Sequence, residues 1–140
     1  MESNPIEETE NIEVKNLTGN ALNWAVAIAK SFKPTNCQHE VQSTIDNAKN
    51  SIVFLDEKSK SVSIVTNGLK KEFSPSSSWT EEVGEIMENH VIKTGYLPNG
   101  RYVVCDGLYG YGEDLLTALC RAFVSCKIGT SLNIPKNIIN

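Results

Sequence analysis

The residues best suited to hold a ligand form a serine-rich segment around a tryptophan. Residues 73–80 read Phe-Ser-Pro-Ser-Ser-Ser-Trp-Thr, so Ser74, Ser76 and Ser77 offer hydroxyls and backbone donors beside the ring of Trp79. Such a loop can hold a ribose, a phosphate or a nucleobase. The alternative is a proline turn in which Trp79 fills the core and the serines cap the next helix, and the residue types favour this second interpretation.

A single arginine and a pair of tyrosines offer chemistry that suits an anionic, planar ligand. Arg121 stands in an apolar segment, where it is either a surface residue with a buried stem or a partner for an anion. Tyr109 and Tyr111 are two aromatic residues that can stack on a base or another planar group. The further basic residues that a wider patch would use are Lys15, Lys70, Lys71, Arg101 and Lys127.

The histidines and cysteines give little sign of a catalytic or metal site. Cys37-Gln38-His39-Glu40 contains a thiol, an imidazole and a carboxylate, but this polar connector supplies neither rigid support nor enough ligands. His90, close to four glutamates, is more typical of a helix face than of a general base. The four cysteines contain no Cys-x-x-Cys pair and predict reduced thiols that mainly fill the core. We therefore expect no catalytic residue, no metal centre and no cofactor, which favours a non-enzymatic protein.

The glycines at residues 107–112 superficially resemble a phosphate-binding loop. Their spacing fits neither glycine fingerprint, no lysine follows, and Glu113 and Asp114 would repel an anion. We therefore expect a flexible turn between a strand and a helix.

The elements that must position these residues predict an α+β domain. Its antiparallel sheet has three to four strands and packs with two principal helices, one N-terminal and one C-terminal, and with a small central helix. Thr18 or Asn20 can cap the first helix, and Gly129 ends the last. The predicted helices cover residues 21–32, 81–90 and 115–128, and the predicted strands cover residues 51–55, 61–65, 70–73 and 101–105.

Charge is distributed unevenly along the 140 residues, which carry 13 Lys and Arg against 17 Asp and Glu, a formal charge of −4. This balance argues against general nucleic-acid binding. Residues 1–14 hold five glutamates and predict a disordered or loosely docked arm, which leaves residues 15–140 as a single domain. Without this arm and the four glutamates of residues 81–88, 8 acidic residues face 13 basic ones. A pocket for a small anion is therefore compatible with the composition.

The two long helices are apolar around most of their circumference. In the last helix, Thr117, Arg121 and Ser125 form a narrow polar row, and apolar residues surround it. Covering one sheet uses one helix face, so the remaining surface needs a second partner, which is either the first helix or another subunit. No apolar run reaches the roughly 18 residues of a membrane span, and no secretory signal is visible. We therefore expect a cytoplasmic protein, with homo-oligomerisation as an open alternative.

Three segments in this order are characteristic when taken together: residues 17–27, residues 73–79 with Ile86 to Ile92, and residues 115–129 with Pro135. They resemble the NinX-like family of small bacteriophage proteins. The acidic arm, residues 80–84 and residues 37–66 depart from that family's pattern. The resemblance implies a phage or prophage origin and an accessory role, and it implies no particular activity. It adds Trp24 to the candidate site residues and increases the interest of Ser74, Ser76, Trp79 and Arg121.

Three functions are compatible with these observations. The first is a non-enzymatic anti-defence protein of a phage, which binds and sequesters a small anionic ligand, such as a nucleotide immune signal, in an oligomer pocket. Trp79 or a tyrosine would stack on this ligand, the serine-rich segment would hydrogen-bond to it, and Arg121 with nearby lysines would bind its phosphate. The second is an inhibitor or adaptor that binds a host protein through the acidic segments. The third is an enzyme that cleaves nucleotides. In each case the protein would act in the cytoplasm of the infected bacterium.

Overall fold

The computed structural model describes residues 8–34, 52–56, 59–66 and 68–139. Within these residues the helices are α1 (Gly19–Ala29), α2 (Glu81–Asn89), α3 (Leu115–Lys127) and the short α4 (Lys136–Ile139), and a 3-10 turn spans Val14–Asn16. The strands are β1 (Thr9–Glu13), β2 (Lys33–Pro34), β3 (Ile52–Asp56), β4 (Ser61–Thr66), β5 (Leu69–Glu72), β6 (Ile92–Leu97), β7 (Gly100–Cys105), β8 (Leu108–Gly112) and β9 (Ser131–Pro135).

The α+β class is confirmed, but the strands are divided among three sheets instead of one. Strands β2 to β5 form a four-stranded sheet, β6 to β8 form a three-stranded antiparallel sheet, and β1 pairs with β9. Strand β2 runs parallel to β3, whereas the other strand pairs are antiparallel. The division follows the chain, because short turns let β3–β5 and β6–β8 pair locally while α2 separates the two groups.

The prediction of a disordered or loosely docked acidic arm is wrong for the residues that form β1. Thr9 pairs with Pro135 and Glu13 with Ser131 in an antiparallel register. Hydrogen bonds between the two main chains order this segment, while four of its five residues remain exposed. Composition does not reveal such pairing, because the partner strand lies at the other end of the chain. Residues 1–7 of the predicted arm lie outside the described residues.

The prediction of a flexible glycine-rich turn at residues 107–112 is also wrong, because most of this segment is strand β8. A Cβ atom added to Gly110 would lie 2.3 Å from both the carbonyl oxygen of Ala118 and the amide nitrogen of Ala122. The glycine therefore lets the strand backbone approach α3 closely. Asp106 and Gly107 alone make the turn that precedes the strand, and both adopt positive φ angles.

The core lies between the helices and the sheets. Helices α1 and α3 pack against each other, and α3 also covers β7 and β8. The apolar faces of the two long helices are thus largely satisfied within one chain, and homo-oligomerisation stays a prediction. Helix α3 begins as expected, with the Asp114 carboxylate accepting a hydrogen bond from the Thr117 amide at 2.8 Å.

Helix α1 ends earlier than its apolar sequence predicts. Ser31 has a φ of 75°, a left-handed conformation that turns the chain away from the helix axis after Ala29. Thr18 is the N-cap residue of α1 by position, but its side chain makes no capping hydrogen bond. Within the described residues, none of the helices combines the length and apolar character needed to cross a membrane.

Candidate functional site

A cavity of about 470 Å³ opens where the β6–β7 turn meets the end of β8 and the side of α3. Residues 97–100 form one wall, and the lining also includes Lys15, Tyr111, Glu113 and Arg121. We call it the Lys15–Arg121 cavity. Its volume falls within the range of about 300–1,000 Å³ that is usual for small-molecule sites.

A glycine places the β6–β7 turn close enough to β8 to form this wall. A Cβ atom on Gly100 would lie 2.3 Å from the carbonyl oxygen of Gly112. Any larger residue at position 100 would therefore push the turn outward and change the shape of the cavity.

Arg121 belongs both to the cavity wall and to the packing of the fold. Its Nε and Nη2 atoms donate to the carbonyl oxygen of Leu17 at 3.1 and 2.8 Å, and Nη1 donates to the carbonyl oxygen of Tyr111 at 2.7 Å. These acceptors are neutral, and Arg121 forms no ion pair within the described part of the chain. Burial lowers the pKa of the guanidinium below its ordinary value, although Asp114 and Glu113 oppose this effect. An anion in the cavity would stabilise the charged form.

Lys15 supplies a second cation to the same cavity. Its ammonium lies 3.6 Å from the Glu13 carboxylate, and its side chain is largely exposed. Such a long, exposed ion pair is weak and exchanges readily for another anion. The two cations outnumber the single carboxylate of the lining, that of Glu113. Glu13 beside Lys15 and Asp114 near Arg121 bring further negative charge to the surroundings of the cavity, so its preference for an anion stays a prediction.

The tyrosines predicted to stack on a planar ligand lie together on strand β8. The rings of Tyr109 and Tyr111 are nearly parallel, with centroids 6.0 Å apart and an interplanar angle of 15°. Tyr102 on β7 extends this row, its ring lying 6.1 Å from that of Tyr109. Tyr109 and Tyr111 are 56% and 51% exposed, so about half of each residue is accessible to solvent. Of the two, Tyr111 lines the Lys15–Arg121 cavity.

The serine-rich segment and Trp79 lie apart from this cavity. The amide of Ser76 donates to the side-chain oxygen of Asn23 at 2.9 Å, and the carbonyl of Ser74 accepts from the amide of Ser77 at 3.1 Å. The segment is thus a turn docked on α1. Trp79 is 59% exposed, so the interpretation in which it fills the core is wrong. The turn is fixed to α1 through Ser76, three residues before Trp79, and the Trp79 ring lies on the surface.

The serines do not cap the following helix, contrary to the same interpretation. Thr80 is the N-cap residue of α2, and its side chain makes no capping hydrogen bond. Trp24, the candidate that the family resemblance added, is 3% exposed in the core and packs within α1's buried face. Its role in this structure is that of a core residue.

The basic residues do not converge into one patch. Lys70 pairs with Asp56 at 2.6 Å, and Lys71 pairs with Glu82 at 2.5 Å. The guanidinium of Arg101 lies 4.1 Å from the centre of the Tyr96 ring. Lys127 lines a separate cavity of about 250 Å³. Of the five predicted basic residues, Lys15 is the one that shares a cavity with Arg121.

The acidic cluster on α2 is less negative than its sequence predicts. Glu82 pairs with Lys71, and Glu85 pairs with Lys30 at 3.0 Å. These ion pairs join α2 to β5 and α1, so two of the four glutamates have structural partners. The hypothesis of a host-protein inhibitor that acts through this surface stays a prediction.

Residues 97–100, which form one wall of the cavity, were not identified as candidate site residues from the sequence. Pro98-Asn99-Gly100 is a recognisable turn signal, but its position over the end of β8 depends on the pairing of β6 with β7. Because β6 reads Ile-Lys-Thr-Gly-Tyr-Leu, with a glycine and little alternation, local patterning does not identify it as a strand.

Comparison with known proteins gives one family. The family model described as Bacteriophage P22, NinX matches residues 13–127, which reach from the end of β1 to the end of α3. The match includes Lys15, Tyr111 and Arg121. No curated protein matches the chain.

Proposed function

Since the chain belongs to the bacteriophage P22 NinX family, we propose that it is an accessory protein of a phage that binds a small anionic ligand with a planar group, of which a nucleotide is the simplest example. The site we assign is the Lys15–Arg121 cavity. The observation that carries the proposal is the meeting of two cations and an accessible tyrosine in a cavity of about 470 Å³.

Two residues of the lining would bind the negative charge of such a ligand, and a third would stack on its planar group. Lys15 is free to exchange its long contact with Glu13 for a phosphate oxygen. Arg121 is held by the carbonyls of Leu17 and Tyr111, so its charge is fixed in place before the ligand arrives. Tyr111 offers its exposed face to a base.

The function we propose for this binding is to sequester a nucleotide signal of host defence in the cytoplasm of the infected bacterium. A non-enzymatic role fits the cavity, because its lining contains no histidine or cysteine and a single carboxylate, that of Glu113. Lys15 and Tyr111 are the other groups of the lining that could transfer a proton, and in this proposal they bind the ligand instead.

The experiment is a binding survey with the full chain, followed by variants of the cavity. Thermal shift and calorimetry are measured with linear nucleotides and with cyclic mono- and dinucleotides, and separately with a nucleoside and with inorganic phosphate. We expect a nucleotide to bind and both fragments to bind far more weakly, since each uses half of the site. Lys15→Gln and Tyr111→Leu should each weaken binding about tenfold, which corresponds to about 1.4 kcal/mol.

Trp79→Ala is the matched control, because this exposed aromatic residue lies outside the cavity. It should leave the affinity unchanged. The proposal is overturned if no nucleotide of the survey binds, or if Trp79→Ala removes binding while Tyr111→Leu retains it. Chromatography of the nucleotide after incubation tests cleavage, and turnover would replace sequestration by the enzymatic alternative.

A further inference from the structure

Four side chains that coordinate metals in other proteins meet at a place remote in sequence from any motif. They are His90, Cys105, Asp106 and Cys126, and one ligand atom from each lies within 4.8 Å of all the others. We call this group the His90–Cys126 cluster. It shares no residue with the Lys15–Arg121 cavity.

Three separate elements bring the four residues together. His90 follows the last residue of α2, Cys105 ends β7, Asp106 begins the turn before β8, and Cys126 lies in the last turn of α3. A metal at this point would therefore tie a helix end, a hairpin turn and a second helix end to one another. Cys105 is already fixed in the β6–β8 sheet, where it pairs with Ile92 and Leu108.

Asp106 is held in position before any metal binds. Its Oδ1 atom accepts a hydrogen bond from the Val91 amide at 2.7 Å, and its own amide donates to the Val91 carbonyl at 2.9 Å. Its φ is +48°, a left-handed conformation that most residues other than glycine avoid. The second oxygen, Oδ2, lies 2.6 Å from His90 Nδ1 and 3.9 Å from Cys126 Sγ. This carboxylate is thus at the centre of the cluster.

The other ligands are also restrained by their surroundings. The ring of His90 packs edge-on against Phe123, with centroids 5.5 Å apart and an interplanar angle of 69°. Cys105 is fully buried and Cys126 is half-buried, and both are free thiols. Asp106 has an exposed side chain, so an ion can enter from solvent. A restrained ligand set with an entry path is what a metal site requires.

We propose that the His90–Cys126 cluster is a binding site for a borderline transition-metal ion, with Zn²⁺ as its probe. Two thiolates, one imidazole and one carboxylate form the four-coordinate set of N, O and S ligands that Zn²⁺ takes in proteins. Ligand atoms around a tetrahedral zinc lie about 3.3–3.8 Å apart. The widest pairs of the cluster, up to 4.8 Å apart, must therefore close by about 1 Å, and the His90–Asp106 pair at 2.6 Å must open by about 0.7 Å. Four protein ligands close the coordination sphere, which makes the site structural rather than catalytic. Binding releases the two thiol protons to solvent.

A cysteine nucleophile is the main alternative, and the geometry disfavours it. In a Cys–His pair the imidazole accepts the thiol proton directly. Here Cys126 Sγ donates to Asp106 Oδ2 at 3.9 Å, and the same oxygen is in contact with His90 Nδ1. Cys105 is buried and is not accessible to a substrate.

The test uses the full chain, purified with a phosphine reductant and freed of metal by a chelator. Zn²⁺ is titrated by calorimetry, and Co²⁺ is titrated by absorption. We expect one equivalent of Zn²⁺ per chain, and for Co²⁺ a thiolate-to-metal charge-transfer band. Cys126→Ser should remove about half of this band, because it removes one of the two thiolates. It should weaken Zn²⁺ binding more than about tenfold, since replacing even a residue that only hydrogen-bonds to a metal ligand costs about that much. His90→Gln should weaken binding and retain the band.

Cysteine variants outside the cluster provide the controls. Cys120→Ala changes a buried thiol of the same helix, α3, and should leave binding unchanged. Cys37→Ser and His39→Ala test the Cys-Gln-His-Glu stretch, which lies outside the described residues. Far-UV circular dichroism of Cys126→Ser confirms that this half-buried substitution leaves the chain folded.

Three results would overturn the proposal. The first is a wild-type chain that binds no equivalent of Zn²⁺ under reducing conditions. The second is a charge-transfer band that Cys126→Ser leaves intact. The third is a loss of binding in Cys37→Ser or His39→Ala with retention in Cys126→Ser, which would place the metal elsewhere.

Discussion

Arg121 donates two hydrogen bonds, from Nε and Nη2, to the carbonyl oxygen of Leu17, a residue 104 positions earlier in the chain. The third bond, from Nη1 to the Tyr111 carbonyl, joins the same guanidinium to β8. One side chain therefore links the entrance of α1, the end of β8 and the middle of α3. This explains why an arginine stands in the narrow polar row of an otherwise apolar helix, and it fixes a positive charge at the wall of the Lys15–Arg121 cavity.

Replacing Arg121 with lysine should destabilise the fold although the charge is retained. An ammonium cannot reproduce the planar fork, so carbonyls that are now paired lose their donors. We expect Arg121→Lys to lower the free energy of unfolding by about 1–3 kcal/mol, measured by urea denaturation. Ser125→Ala, in the same polar row, is the matched control and should change stability by less than about 0.5 kcal/mol. If Arg121→Lys were as stable as wild type, the three hydrogen bonds of the guanidinium would not contribute to the stability of the fold.

The two tryptophans should respond in opposite ways to truncation. Trp24 is 3% exposed and Trp79 is 59% exposed. Trp24→Ala creates a large core cavity and should cost about 3–5 kcal/mol, whereas Trp79→Ala should cost less than about 0.5 kcal/mol. Acrylamide should quench the fluorescence of the Trp24→Phe variant, which retains Trp79, far more than that of Trp79→Phe. Similar quenching of both variants would contradict the surface position of Trp79.

Two glycines that look alike in sequence should differ in their tolerance of a methyl group. Gly110→Ala places a Cβ atom 2.3 Å from backbone atoms of Ala118 and Ala122, which cannot move without shifting α3. We expect a loss of at least about 1–3 kcal/mol in thermal or urea unfolding. Gly84→Ala, on α2, meets no atom within 4 Å and should stabilise the protein by about 0.5–1 kcal/mol. If both variants were destabilised equally, the close packing of β8 on α3 would be disproved.

The Glu82–Lys71 ion pair should make stability depend on acidic pH. Burial favours the neutral acid of Glu82, but the hydrogen bonds it accepts, led by that from Lys71, outweigh burial and hold its pKa below the ordinary value of 4.5. The unfolded chain therefore binds the proton first as pH falls. The stabilisation is fully present above the ordinary pKa and is lost as pH falls through the lower, folded-state value.

Glu82→Gln should remove this contribution, which is about 1 kcal/mol or less because Lys71 is half-exposed. The difference in unfolding free energy between wild type and variant should be largest near pH 7 and should decrease as pH falls below 4.5. Glu88→Gln, an exposed neighbour on α2, should leave the pH profile unchanged. A Glu82→Gln difference that is constant over this range would exclude the ion pair as its cause.

Local sequence patterns predict the elements whose stabilising contacts are near in sequence. The β3–β4 hairpin, α2, β7 and α3 are confirmed within a few residues, because turn residues, helix caps and apolar periodicity all lie within the segment concerned. Strands β1 and β9 have no such signal. Each of these strands forms by pairing with the other. A short sequence window around Thr9–Glu13 does not contain Ser131–Pro135, so local patterns cannot predict the pair.

The same distinction applies to the candidate site. A paired tyrosine and a lone helix arginine are unusual in themselves, and Tyr111 and Arg121 both line the Lys15–Arg121 cavity. Their role in ligand binding stays a prediction. Trp79 and the serines were equally unusual, but the turn that carries them docks on α1 through Asn23, a contact that sequence spacing does not reveal. The His90–Cys126 cluster was invisible because its ligands come from three elements with no motif spacing.

The pairing of β1 with β9 also determines when the fold can be completed during synthesis. Asn11 hydrogen-bonds to Asn133 across a separation of 122 residues, and the Val14 amide donates to the carbonyl of Thr130. Closing so long a loop is among the costliest contacts that a chain of this size makes. Strand β1 is therefore synthesised long before β9 and stays unpaired until β9 has been made. Glu10 and Glu13 place negative charge on this edge, which disfavours its pairing with other chains before β9 is available.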